Sequence, residues 1–143
     1  MNVKVRHLGG KRFEMTTRCH VVLSDQPFDN DGADSAMTPP ELFLSSLGAC
    51  AGHYAAEYLL ARDLDTSALE IRVSAEKGDK PARIISVAIE VEAPGLSERH
   101  REGILRSVNR CLLEKTLEIP PKIDVKFVSP AEAPEETLAP ALG

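Results

Sequence analysis

The sequence predicts an α+β fold built as one domain. Apolar and polar residues alternate in the segments before and after residues 38–62, whereas those residues are apolar on nearly every side of a helix. The predicted order is strands, helix, strands, helix, strand, which is typical of α+β proteins. The 143 residues, 43% of them hydrophobic, suffice for one core. We expect the domain to span residues 1–128 and the tail rich in Pro, Glu and Ala, residues 129–143, to be disordered.

Two strands are predicted before the first helix. Residues 2–8 alternate and end at two consecutive glycines, which can adopt the positive φ angles of a tight turn. Apolar residues again occupy every second position over 13–23, so we expect one half-buried second strand, with Cys19 as a small core residue. Residues 25–37 are rich in Asp, Asn, Gly and Pro, which predicts a loop.

The first helix has a clear beginning. Thr38 is a good N-cap, Pro39 suits the first helical position, and Glu41 stands three residues after the cap, as a capping box requires. The apolar pattern then continues to about Arg62. Because a chain of this size can hardly cover a helix that is apolar all round, we expect a dimer in which a second copy completes the enclosure.

The second half of the chain predicts a hairpin, a helix and a strand. Residues 69–91 alternate on both sides of a Gly-Asp-Lys-Pro turn, which indicates a long antiparallel hairpin. Ser97 caps a second helix that ends before Pro120, and Cys111 lies on its inward stripe. Residues 123–127 alternate as a short final strand.

Composition excludes several classes of function. The net charge of −5 and the absence of a long Lys/Arg run argue against a nucleic-acid-binding protein. There is no signal-like segment, and the apolar helix is too short and too charged at its end to span a bilayer, so we expect a soluble cytoplasmic protein without a membrane partner. Three cysteines form an odd count, which favours intracellular thiols over a secreted disulfide framework.

Cys50 and Cys111 are the candidate chemical groups, since each is expected on the core side of a helix. Two thiols that meet inside one small domain suggest redox chemistry, although buried cysteine is also an ordinary small hydrophobe. No Cys and His pair has the spacing of a zinc site, so we expect no metal, and no motif indicates a cofactor.

One run of the sequence resembles a known family. The run is Thr38-Pro-Pro-Glu-Leu-Phe-Leu-Ser-Ser-Leu-Gly-Ala-Cys50. With the β-hairpin before it and Cys111 after it, this run resembles the osmotically inducible protein C and organic hydroperoxide resistance (OsmC-like) family. The resemblance implies an intertwined homodimer, in which antiparallel sheets wrap around central helices and two active sites lie at the dimer interface.

The resemblance also implies an activity and roles for particular residues. Cys50 would attack the O–O bond of an organic hydroperoxide, and Cys111 would condense with the resulting sulfenic acid to a disulfide that an external dithiol or lipoyl-type reductant opens. The family's activating arginine would be Arg12 or Arg18. The position of the family's catalytic carboxylate is occupied by Pro40 in this sequence, so Glu41, one residue later, is the candidate for that role. The capping box also explains Glu41.

Two other functions fit the same residues. The fold could serve a non-enzymatic protein that binds a small hydrophobic ligand in the dimer cleft. It could also serve a peroxide sensor, in which Cys50 is oxidised once without turnover.

Overall fold

A computed structural model describes residues 1–129, in five strands and three α-helices. The elements in chain order are β1 Lys4–Gly9, β2 Arg12–Thr17, β3 His20–Ser24, α1 Pro39–Leu60, β4 Glu70–Asp79, β5 Ala82–Glu92, α2 Glu98–Val108 and α3 Leu112–Glu118. The predicted α+β class is confirmed. The expected limits of the domain stay a prediction, because all but the first residue of the expected tail lies outside the described residues.

The first sheet has the order β1-β2-β3, with antiparallel neighbours. Met15 lies between Val5 and Val22 in register, so one face of this sheet is largely apolar. The prediction of a single strand over 13–23 is wrong, because the chain turns back at Arg18, whose φ of 52° is left-handed. Cys19 lies in that turn and is exposed, so it is not the core residue that its alternation predicted.

The loop after β3 is as predicted, and a buried carboxylate organises it. Asp25, 1% exposed, accepts hydrogen bonds from the backbone N–H groups of Gln26, Ala33 and Ser35 at 2.8, 3.2 and 3.1 Å, and from the Ser35 hydroxyl at 2.7 Å. These bonds, led by that of the Ser35 hydroxyl, lower the pKa of Asp25 to about 2. The loop is therefore held in one shape where it enters α1.

Helix α1 begins with the predicted capping box. The Thr38 hydroxyl accepts the N–H of Glu41, and the Glu41 carboxylate accepts the N–H of Thr38 at 2.7 Å. The helix then crosses the second sheet, an antiparallel pair of β4 and β5. A Cβ atom on Gly48 would lie 3.0 Å from the Val73 side chain, so the glycine permits this close approach.

The core lies between α1, α2 and the inner face of the second sheet. Its buried members come from one stripe of α1 and one of α2, namely Ala51, Ala55, Leu59, Ile104 and Val108. The Tyr58 ring covers Gly103, where no side chain would fit. The Ser107 hydroxyl donates to the carbonyl of Tyr54 at 3.1 Å, which joins the two helices further.

Two predictions for the C-terminal part are wrong. The second helix is interrupted at Asn109, and Cys111 precedes the separate helix α3 instead of lying within a continuous one. Residues 123–127 form no strand, and Phe127 is 98% exposed. A strand is stable only beside a neighbour, and this segment pairs with no strand among residues 1–129.

The first sheet makes at most marginal contact with the helices and the second sheet. Its apolar residues are consequently exposed, among them Val5, Phe13 and Val22. None of the helices in residues 1–129 combines the length and apolar character that a membrane crossing requires.

Candidate functional site

The structure brings Cys50 and Cys111 together. Cys50 lies in the middle of α1 and Cys111 lies directly before α3, and the two side chains are close enough for Cys50 to contribute to the raised pKa of Cys111. Both are free thiols. Cys111 is 2% exposed, whereas Cys50 is half-buried. Two neighbouring thiols, one of them half-buried, are the groups that a disulfide between α1 and the start of α3 would join.

The break between α2 and α3 positions Cys111. The N–H of Arg110 donates to the carbonyl of Ser107 at 3.1 Å, and the N–H of Cys111 donates to that of Val108 at 2.7 Å. This tight turn ends α2, and the carbonyl of Cys111 then accepts the first bond of α3, from Lys115 at 3.0 Å. A continuous helix would carry Cys111 along the α2 axis, whereas the turn places it under α1, which α3 contacts.

The two thiols are not equivalent. Burial, followed by the interaction with Cys50, raises the pKa of Cys111 above its usual value. The nearby N–H groups of Leu113 and Glu114 act in the opposite direction but do not offset the burial. Cys111 is therefore a protonated thiol near neutral pH, and Cys50 is the better placed of the two to meet a reagent from solvent.

Glu41 does not lie beside the thiols. It precedes Cys50 by nine residues, and at about 100° per residue the two side chains lie on opposite sides of α1. Its carboxylate is engaged at the helix start, where the N–H of Thr38 and then the Thr38 hydroxyl lower its pKa. Within the single chain, Glu41 acts as a capping residue.

Arg12 and Arg18 lie on the first sheet and are exposed. Arg12 begins β2, opposite Gly9, and Arg18 occupies the turn before β3. Within residues 1–129, neither guanidinium forms an ion pair or hydrogen bond with the two cysteines or with Glu41. Their roles at the site stay predictions.

The face of α1 that carries Cys50 continues one turn in each direction. Ser46 and His53 lie on it and are exposed. The Ser46 hydroxyl donates to the carbonyl of Phe43 at 2.6 Å, and the His53 ring meets the edge of Tyr54 at 5.6 Å between centroids. This face is the open side of the thiol pair.

A separate groove of about 360 Å³ lies on the opposite face of α1. It is lined by residues of α1 and β4: Glu41, Leu44, Ser45, Gly48, Ala49, Ile71 and Val73. The groove is mostly apolar, with one carboxylate at its rim. Because α1 lies between them, a molecule in this groove would not reach Cys50.

No group of three His, Cys, Asp or Glu side chains within residues 1–129 is arranged to hold a metal ion. Sequence reasoning missed one polar residue with a clear structural task, namely Asp25. The run of short polar residues after β3 was its only signal, and that run predicts a loop without showing which residue organises it.

Comparison with known proteins agrees with this architecture. A family model for OsmC-like proteins matches residues 32–126, which include α1 and both cysteines of the pair. No curated protein sequence matches the chain.

Solved structures share the fold at low sequence identity. An osmotic stress induced and detoxification response protein of Psychrobacter arcticus has a TM-score of 0.73 at 20% identity, over 81% of this chain and 87% of its own. An OsmC-like protein of Mycoplasma pneumoniae has a TM-score of 0.68 at 18% identity, over 82% and 86%. The organic hydroperoxide resistance protein OsmC of Legionella pneumophila has a TM-score of 0.63 at 15% identity, over 82% and 89%.

The family resemblance that residues 38–50 carry is thus confirmed over most of the described chain. The family model covers the helix that carries Cys50, the second sheet and the turn that carries Cys111. The chain belongs to the OsmC-like protein family.

Proposed function

We propose that this protein reduces organic hydroperoxides through Cys50 and Cys111. The observation that carries the proposal is that a half-buried thiol on α1 and a buried thiol before α3 are neighbours. Several solved structures with this fold are named organic hydroperoxide resistance proteins, those of Legionella pneumophila and Bacillus subtilis among them. That likeness supports the class of substrate.

The proposed reaction has two steps. The Cys50 thiolate attacks one oxygen of the O–O bond, which breaks, so that Cys50 becomes a sulfenic acid and the alkoxide leaves as an alcohol after taking a proton. The Cys111 sulfur then attacks the Cys50 sulfur, and the hydroxyl leaves as water with the Cys111 proton. An external dithiol or lipoyl-type reductant restores both thiols. The protein needs no metal and no bound cofactor for these steps.

We also propose that the working form is a homodimer. Among residues 1–129 the first sheet has at most marginal contact with the helices and the second sheet, and its apolar face and the segment 123–127 are exposed. This sheet is basic in a protein of net charge −5, so an acidic surface on a second copy would attract it. Such a dimer could bring Arg12 or Arg18 of one copy towards Cys50 of the other, where a guanidinium would favour the thiolate.

We place the activity in the cytoplasm, where thiols stay reduced.

The proposal is tested by the consumption of cumene hydroperoxide in the presence of excess dithiothreitol. Cys50→Ser should abolish consumption, because no nucleophile remains. Cys111→Ser should reduce about one equivalent rapidly and then turn over slowly, because the sulfenic acid lacks its internal partner. Cys19→Ser is the matched control, since Cys19 is an exposed turn residue, and it should keep the full rate. Equal rates in all four proteins would refute the thiol mechanism.

A second function is favoured by the groove between α1 and β4. Its volume of about 360 Å³ and its apolar lining suit a small hydrophobic ligand, and Glu41 at its rim is occupied as a cap. Binding of a fluorescent fatty acid that Ala49→Phe weakens, together with thiols that survive excess peroxide, would favour this function. Oxidation that stops after one equivalent in the wild type, even with dithiol present, would instead indicate a peroxide sensor.

A further inference from the structure

We propose that Ser107 is a positioning residue for the thiol pair, because its hydroxyl group fixes the turn that carries Cys111 against α1 beside Cys50. This inference rests on the proposed function, since it concerns the two thiols that would carry the reaction. The contacts that support it lie between α1 and α2 of one chain, so it does not depend on which surfaces a second copy covers.

The contacts between α1 and α2 repeat after one helical turn. The Ser107 hydroxyl donates to the carbonyl of Tyr54 at 3.1 Å. Four residues further along α1, the Tyr58 ring fills the space beside Gly103, which lies four residues earlier on α2. Positions four residues apart lie on one face of a helix, so these contacts belong to one seam along which the two helices run antiparallel.

The two thiols occupy the next positions of this seam. Cys50 lies four residues before Tyr54, and Cys111 lies four residues after Ser107. Burial, followed by the neighbouring Cys50 thiol, raises the pKa of Cys111, so the two side chains are neighbours at this point. The hydroxyl bond of Ser107 is therefore a contact one turn away from the thiol pair.

Ser107 also belongs to the turn that carries Cys111. Its carbonyl accepts the N–H of Arg110 at 3.1 Å, and the N–H of Cys111 donates to the carbonyl of Val108 at 2.7 Å. The hydroxyl of Ser107 is thus bonded to α1, while its carbonyl is bonded within the turn. One residue therefore connects the helix that carries Cys50 with the turn that carries Cys111.

A hydrogen bond can fix this position in a way that apolar packing cannot. The buried side chains of Ile104 and Val108 on α2 supply apolar contact, which has no preferred direction. A hydrogen bond weakens steeply when its angle or length changes. A bond between the Tyr58 hydroxyl and the His100 ring, at 3.3 Å, lies further from the thiols. Ser107 should therefore set the effective concentration of one thiol at the other.

The test measures the equilibrium between the Cys50–Cys111 dithiol and its disulfide in the full chain carrying Cys19→Ser, which removes the third thiol. Buffers of reduced and oxidised dithiothreitol set the potential, and each protein disulfide that forms reduces one molecule of oxidised dithiothreitol to the dithiol. The mixtures are quenched with acid, alkylated with N-ethylmaleimide and analysed by peptide mass spectrometry.

Ser107→Ala should lower the equilibrium constant for disulfide formation about threefold to tenfold, the worth of one hydrogen bond. Ser107→Thr keeps a hydroxyl group and should stay within about twofold of the parent protein. The matched control is Ser86→Ala, which removes a hydroxyl that donates to Glu76 at 2.9 Å on the second sheet, and it should leave the constant unchanged.

Three results would overturn the inference. They are an unchanged constant in Ser107→Ala, even where urea unfolding shows a loss of stability, equal losses in Ser107→Ala and Ser107→Thr, and no disulfide in the parent protein. The buffers contain no peroxide, so the outcome is separate from that of the proposed function. If Ser107→Ala shifts the equilibrium while the parent protein consumes no cumene hydroperoxide, the peroxidase proposal fails and the positioning role of Ser107 is retained.

Discussion

The two sheets of this chain differ in what covers them. The second sheet packs its inner face against α1, and Gly48 lets the backbone of the helix approach the Val73 side chain. The first sheet has a comparable apolar face, around Met15 and Val22, yet none of the helices in the described part of the chain packs against it. A similar alternation of apolar and polar residues therefore led to different burial in the two sheets. An apolar face is buried only where another helix or sheet packs against it.

The largest effect should come from matched truncations in the two regions. Leu59→Ala removes a side chain that is 0% exposed in the core and should cost about 2–5 kcal/mol of unfolding free energy. Leu23→Ala makes the same change on the first sheet, where the side chain is 48% exposed, and should cost below about 1 kcal/mol in the monomer. Urea unfolding at low protein concentration measures both. Similar losses would mean that the first sheet is as well packed as the core.

The apolar face of the first sheet can be tested for a second copy. Val22→Lys places a charge at its centre, beside Met15, and should weaken association by about 2 kcal/mol or more if this face is covered in a dimer. Analytical ultracentrifugation should show monomers at concentrations where the wild type is dimeric, with an unchanged circular dichroism spectrum. The control is Lys11→Ala, in the hairpin turn at the sheet's end. Unchanged association of the Val22→Lys variant would remove the first sheet from the interface.

A substitution at Gly103 tests the packing between α2 and α1. The Tyr58 ring occupies the space that a Cβ atom would need, so Gly103→Ala should cost about 1–3 kcal/mol despite the better helix propensity of alanine. In the double variant with Tyr58→Ala, the added methyl group no longer meets the Tyr58 ring. The loss of unfolding free energy should therefore be smaller than the sum of the two single losses. Thermal and urea unfolding measure both. A stabilised Gly103→Ala protein would show that the two helices can separate at no cost.

The loop between the two regions should show the smallest effect, and that effect should depend on pH. The pKa of Asp25 is lowered from 3.8 to about 2, so its charged form stabilises the folded state above about pH 4, and this contribution is lost as the pH falls from 3.8 towards 2. Asp25→Asn should be less stable than wild type at neutral pH, and the difference should shrink over that window. Asp29→Asn, in the same loop but exposed, is the control. A difference that is constant with pH would contradict the role of the carboxylate charge.

The sequence predicted the elements with local signals well. The capping box at Thr38 and Glu41 is present in the structure, and the long hairpin has the expected pairing of alternating residues. The strand over 13–23 was predicted wrongly because apolar and polar residues keep alternating through the turn at Arg18. The side-chain pattern therefore carries no sign that the backbone reverses its direction there. The second helix was predicted as continuous because Cys111 has the right helical spacing, and no residue of Asn109-Arg110-Cys111 is a strong helix breaker.

The candidate site was predictable in part. Cys50 and Cys111 were identified from their place on apolar stripes and from the family resemblance, and in the structure the two side chains are neighbours. It places Glu41 on the other side of α1 from Cys50. Arg12 and Arg18 lie on the first sheet, against which no helix of residues 1–129 packs. Spacing along one helix gives relative direction, but it cannot show which separate elements meet.

The sequence by itself determined the class of fold, the limits of α1 and the identity of the two candidate thiols, because capping, periodicity and residue chemistry are local properties. The tertiary structure decided that Cys111 lies near Cys50 of α1 and that Asp25 anchors the loop. It also decided that, within residues 1–129, the second sheet is covered by helices and the first sheet is not. These outcomes depend on contacts between segments far apart in the chain, whose formation depends on packing and on chain entropy, and local patterns do not report either.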